Sequence, residues 1–243
     1  MPEAPAIKNR DRYKNKMSSL MSTPAIFAFD FSMNKPAMCC LVRDKIDFFV
    51  WPSIVDDYTY NALTNCNVNT FNRNLPPIKN KSLDENELIC EHVTRAVNLA
   101  GMIVTKVIEI LEKNNLTPNQ AIISNEGFAF AAKGDAALDL SGYKYILMHA
   151  FMSKGFKKFK TYSPITIKST AGCAKKGSKK EDMINKLAEE HQDLHLFIHT
   201  VASHPELLKK KTAFINCIDD LTDAYWCLKT TVKKENLNCI LSE

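Results

Sequence analysis

Residues 25–42 read AIFAFDFSMNKPAMCCLV, two apolar runs separated by a short polar turn. Runs this short, rich in aromatic and small apolar residues and bounded by turn signals, are the pattern of buried strands rather than helices. They predict strands over 25–31 and 37–42 joined through SMNKP, and IDFFVW at 46–51 adds a third strand in meander order. One residue does not fit. Asp30 interrupts an otherwise apolar strand, and a carboxylate taken from water without a partner is costly. The partner must come from elsewhere in the chain.

Beyond the meander, residues 52–81 hold no sustained period and are rich in Asn, Asp, Thr and Pro, which predicts a long loop or insertion. Ser82 with Glu85 three residues on reads as a capping box. Leu88, Ala96, Ala100, Ile103, Val104, Val107, Ile108 and Leu111 then form the stripe of a long helix ending near Asn114 and Asn115. After the break at Thr117 and Pro118, AIIS at 121–124 predicts a fourth strand closing at Asn125 and Glu126. The remaining pattern gives a helix over 136–151, a fifth strand over 163–168 (SPITIK), and helices over 179–190 and 216–232. No internal repeat is visible. Three strands, a helix, then alternating strands and helices specify an α/β domain with a mixed sheet.

The 243 residues, 45% of them hydrophobic, suit one substantial domain over 24–243 carrying the 52–81 insertion. Residues 1–23 are polar and lysine-rich and are expected to form a flexible basic arm. No apolar run approaches the roughly 18–20 residues that span a bilayer, and the start lacks a secretory pattern, so a soluble, cytoplasmic protein with no membrane partner is expected. The eight cysteines are scattered, with no C-x-x-C pair, and read as buried thiols. His191, His195 and His199 have a spacing that would suit zinc on a helix. LHLFIH at 194–199 also alternates like a strand, however, and no carboxylate or cysteine completes the set.

The net charge of +5 is modest, but its distribution is uneven. Basic residues gather in the first sixteen positions and over 154–180, and acids around 84–91 and 219–223. A basic surface beside inward-facing acids suits an enzyme that handles a polyanion through metal ions. Among those acids, the stretch 218–228, IDDLTDAYWCL, sets Asp220 and Asp223 on one helix face, with Leu221, Ala224, Tyr225 and Leu228 supplying a packing surface. Adjacent carboxylates raise each other's pKa and call for a cation or a shared proton. The alternative is a solvated first helical turn favoured by the helix dipole. Glu126 precedes Gly127 at a strand end, where α/β sheets place their chemistry. If the first and fourth strands are neighbours, Asp30 and Glu126 face each other and the last helix can bring its acids to the same edge.

FAFDFSMNKPA around Asp30, ISNEGFAF around Glu126, YSPITIKSTAGCAKKGSKKEDM from Tyr162 and DDLTDAYWCL from Asp219 together resemble the RuvC-like Holliday junction resolvases of the ribonuclease H-like superfamily, especially phage-type members. The likeness covers about residues 25–230 apart from the insertion. It implies a ribonuclease H-like mixed five-stranded sheet flanked by helices, and a metal-dependent endonuclease for branched DNA. By matching motif positions, Asp30, Glu126, Asp220 and Asp223 would hold two Mg²⁺ or Mn²⁺ ions. Asp219 competes with Asp220 for that role, and helical spacing favours Asp220. Lys168, at the end of the expected fifth strand, would lie near the scissile phosphate as a catalytic charge. Phe128 is a candidate to wedge or stack at the exchange point, as is Phe130. Lys133, Lys175, Lys176, Lys179 and Lys180 are candidates for DNA contact. Symmetric cutting of a junction implies a homodimer; no small-molecule cofactor is expected.

Other readings of the same residues are weaker. GCAKKGSK at 172–179 inverts the order of a phosphate-binding P-loop. An actin-like phosphotransferase needs two such domains. A binding protein of the same fold without chemistry would leave the full acid set unexplained. A nuclease for RNA–DNA hybrids or a strand-transfer enzyme would use the same metals and differs only in substrate.

Overall fold

The computed structural model describes residues 24–76, 84–127, 135–175, 177–192 and 208–237, with backbone only for 135–140 and 208–215. Its strands are β1 (Ala25–Asp30), β2 (Ala37–Val42), β3 (Lys45–Val50), β4 (Val68–Thr70), β5 (Ala121–Glu126) and β6 (Lys158–Tyr162). They form one sheet in the order β4-β3-β2-β1-β5-β6. The first three strands pair antiparallel, and β5 and β6 continue from β1 in parallel. This is a mixed sheet flanked by helices, extended at one edge by β4, which runs parallel to β3.

The central strand explains why the apolar runs do not alternate: β1 is covered on both faces. Phe27 and Phe29 point to a layer made by α2 (Glu85–Lys113) and α3 (Asp135–Ser153), where they meet Leu99, Ile103, Val107, Leu147 and Phe151. Ile26 and Ala28 point the other way. There they pack with α1 (Asp57–Asn65), α4 (Pro164–Thr170), α5 (Lys180–Glu190) and α6 (Leu208–Lys234). Helix α6 is enclosed by the sheet and its neighbours, with Ile218, Leu221, Ala224, Cys227 and Leu228 fully buried. Its buried threonines donate back to the carbonyls four residues earlier, Thr222 to Ile218, Thr230 to Trp226 and Thr231 to Cys227. Their hydroxyls are thereby satisfied within the helix, and that of Thr230 also lies 2.9 Å from the Thr170 hydroxyl of α4. Among the described residues no helix is long and apolar enough to cross a membrane.

Several expectations are corrected. The sheet has six strands rather than five, because 52–81 is not a featureless loop. It contains α1, capped by Asp56 accepting from the Thr59 amide at 2.9 Å, and β4, paired with β3. The stretch 163–168 is not a strand. Ser163 caps α4 by accepting from the Thr166 amide, and Pro164 occupies the first turn, a helix start whose alternating apolar residues mimic strand period. The fifth core strand is instead KFKTY at 158–162, an edge strand whose lysines face solvent. The capping box of α2 is Asp84 with Glu87, two residues beyond the expected Ser82, which lies outside the described residues, as do the arm 1–23, His195 and His199. His191 follows α5 and sets its ring edge-on to Phe48 and Tyr225.

Because Leu221 is buried where α6 meets the sheet, Leu221→Ala is expected to cost about 2–5 kcal/mol of stability. Urea unfolding should show a lower midpoint with an unchanged slope.

Candidate active site

Two strand ends and one helix assemble the acids. Asp30 and Glu126 are the last residues of β1 and β5, parallel neighbours in a register that pairs Ala28 with Ser124 and Phe29 with Asn125. The next residues in that register are the two acids. With a period of two, Asp30 shares the face of Ile26 and Ala28, the face covered by α6. Glu126 shares the face of Ser124, whose hydroxyl receives the Cys227 thiol of α6 at 3.7 Å. On α6, Asp219, Asp220 and Asp223 are all only partly exposed, and the Asp220 carboxyl hydrogen-bonds that of Asp30.

Charge crowding follows directly. Burial, then the Asp223 carboxylate, pushes Asp30 up to about 6. Burial, then Asp223 and Asp30, pushes Glu126 to about 7. Burial and Asp30 push Asp220 to about 8, and burial also raises Asp219. Two lysines act against this. Lys180, at the first turn of α5, sits 3.1 Å from Asp223 and 3.6 Å from Asp219. Lys144 of α3 is only 6% exposed; its ammonium donates to the Glu126 backbone carbonyl at 2.7 Å and its charge acts on both Asp30 and Glu126. Burial pulls the Lys144 pKa down, and the two carboxylates hold it up.

The structure therefore brings Asp30, Glu126, Asp220 and Asp223 to one end of the sheet. Of the two adjacent aspartates, Asp220 reaches Asp30, and Asp219 turns to Lys180. Lys168 is exposed in the last turn of α4, so the strand-end reason for placing it at a reacting phosphate does not hold. Lys175 and Lys179 are exposed, and Lys180 is engaged by the acids rather than free for DNA. Phe128, Phe130, Lys133 and Lys176 lie outside the described residues. Sequence reasoning missed Lys144. A lysine inside GYKYILMHAF, otherwise apolar on both sides, carries the same signal that singled out Asp30.

Four carboxylates present hard oxygen donors, the chemistry that suits Mg²⁺ or Mn²⁺, and the raised pKa values of Asp30, Glu126 and Asp220 mark a site short of positive charge. As arranged, no three His, Cys, Asp or Glu among the described residues form a ready-made ion-holding set; Lys180 lies against Asp219 and Asp223.

No family model and no curated protein matches the sequence. Two solved structures from Thermus thermophilus are similar. The RuvC structure is 12% identical over 88% of this chain and 96% of that one, with a TM-score of 0.44. RuvC in complex with a Holliday junction substrate has the same identity and coverage and a TM-score of 0.43.

The raised pKa values set a pH dependence. Folded Asp30, Glu126 and Asp220 keep their protons to about 6, 7 and 8, and the unfolded chain releases them at about pH 4. In between, the unfolded state binds fewer protons, so stability falls as pH rises. The metal-free protein is expected to melt at progressively lower temperature from about pH 5 to about pH 8, and Asp220→Asn to flatten that decline and melt higher than wild type at the alkaline end. Thermal melts in EDTA across this range provide the check.

Proposed function

We propose that this chain is a divalent-metal-dependent endonuclease acting on branched DNA, four-way junctions foremost. The observation that carries the reading is the convergence of Asp30, Glu126, Asp220 and Asp223 from two adjacent strand ends and one helix, where burial and neighbouring carboxylates push Asp30, Glu126 and Asp220 upward. In this reading those four residues hold two Mg²⁺ or Mn²⁺ ions. When bound, such ions activate a water and stabilise the leaving 3′-oxygen of a phosphodiester. Asp30 bridges the cluster through its contact with Asp220. Lys144 anchors the end of β5, so that Glu126 stays aimed into the cleft. Lys180 neutralises Asp219 and Asp223 until DNA and cations arrive. Exposed Lys168, Lys175 and Lys179 contact the DNA backbone, giving affinity that falls with salt. Two cuts in a symmetric junction require two such sites, so the working form is a homodimer.

Asp30→Asn and Glu126→Gln are each expected to reduce cleavage of a four-way junction by at least about a thousandfold, with junction affinity in EDTA kept within about threefold because binding rests on lysines. A parallel panel of flap and RNA–DNA hybrid substrates identifies the substrate class; preferential cutting of the hybrid would replace the junction assignment. A readout independent of cleavage is metal-driven stabilisation. Mn²⁺ or Mg²⁺ at a hundredfold excess over Kd should add roughly 2.7 kcal/mol to wild-type stability, and Asp223→Asn should lose most of that gain. An unchanged wild-type melt in millimolar Mn²⁺ would sink the metal site.

A further inference from the structure

Around the turn that follows Asp30, on the α2–α3 side of the sheet, lies a second polar site that the four acids do not use. It is a cavity of about 450 Å³ whose charged lining is Lys35, Arg73 and Arg95, with His92 and Tyr143 on its wall. Arg73 enters from the insertion and is held by the chain itself: Nε donates to the Trp51 carbonyl at 2.9 Å, and Nη2 to the Met33 and Asn34 carbonyls. This fixes the plane of the guanidinium and leaves Nη1 with no protein partner among the described residues. Arg95 of α2 donates through Nε to Glu91 at 2.6 Å and through Nη1 to the Pro76 carbonyl at 2.6 Å, leaving Nη2 in the same condition. The Lys35 ammonium makes no ion pair among the described residues. Among those residues Glu91 is thus the one carboxylate that engages these three cations, and it is itself 40% exposed. Burial, then the neighbouring Arg95, draws Arg73 down to about 10, as expected for two guanidinium groups that repel each other.

Two residues that line the cavity neighbour the acid cluster along the chain. Lys35 follows Asp30 by five residues in the turn, and its charge reaches Cys217, three residues before Asp220 on α6. Tyr143 lines the cavity, hydrogen-bonded to His92, and the next residue, Lys144, anchors Glu126. Planar, pre-oriented guanidinium groups with spare N–H donors match phosphate oxygens in shape and charge.

We propose that the pocket formed by Lys35, Arg73 and Arg95 is a phosphate-binding subsite that holds a backbone phosphate of the nucleic acid strand entering the cleft. This assignment rests on the nuclease reading above and extends it to substrate positioning. It also gives the insertion a role, which is to deliver Arg73.

The test measures junction binding in EDTA by fluorescence anisotropy over a salt series, for wild type, Lys35→Gln, Arg95→Gln and the double variant. Arg73 is left in place because its hydrogen bonds tie the insertion to the β1–β2 turn. Each single variant is expected to bind about five- to tenfold more weakly and to reduce the log–log salt slope by about one, the double by about two, with thermal melts showing every variant folded at the assay temperature. Replacing junction phosphates one at a time with neutral methylphosphonate should reveal a position whose loss weakens wild type and has no effect on Arg95→Gln. Folded variants with wild-type affinity and slope, beside a wild type that binds and cuts, would overturn the subsite alone. A wild type that binds with the methylphosphonate signature but cuts nothing would keep the subsite and remove the nuclease reading. A wild type with no affinity for the junction would remove both.

Discussion

A carboxylate at the buried end of the central strand is the constraint around which this molecule is arranged. β1 is apolar and covered on both faces up to its last residue, and there Asp30 must be compensated by groups that no single element can supply. Helix α6 brings Asp220 to share a hydrogen bond, α5 brings Lys180, and α3, from the opposite layer, brings Lys144. Both helical layers therefore close on the same end of the sheet. The burial of α6 between Cys217 and Val232 follows from that demand: a helix carrying three acids toward the interior needs its remaining faces there to be apolar, and Ile218, Leu221, Ala224 and Leu228 provide them.

This is also why the acids were legible before the structure and the lysines less so. Asp30, Glu126 and the 219–223 acids stand out because charge is rare inside apolar runs, and the period of two along neighbouring strands carries Asp30 and Glu126 to one edge once β1 and β5 pair. The choice between Asp219 and Asp220 was a different matter. Helical spacing alone favours Asp220, and the fold adds a separate reason: Asp220 lies against Asp30, while Asp219 lies 3.6 Å from Lys180. Lys168 was misplaced for a related reason. SPITIK has strand period over six residues, but a helix of one or two turns is governed by its cap, and Ser163 with Pro164 fixes that locally. The insertion was unreadable as structure because α1 and β4 are short and gain their stability from contact with β3 and α6 rather than from their own pattern.

The charge balance at the sheet end separates a structural salt-bridge network from a site built for exchange. A cluster selected for stability alone would match its anions with cations and settle its carboxyls near or below their ordinary range. Here five carboxyls face two lysines, and three of the five are pushed to about 6, 7 and 8. Near neutral pH the shortage is made up by protons, which leave readily when a stronger positive charge arrives. Lys180 is the complementary part. At 3.1 Å from Asp223 it neutralises the cleft in the absence of other cations, yet it sits at the first turn of α5, on a flexible stem, where it can swing from a carboxylate to a phosphate as a compact point charge. An arginine clamped in a bidentate pair at that position would resist the exchange. On the proposed reading, the lysine that occupies the acids before substrate arrives is the same one that meets the DNA backbone afterwards, so the local instability of the metal-free cleft and its affinity for cations and phosphate have one electrostatic origin.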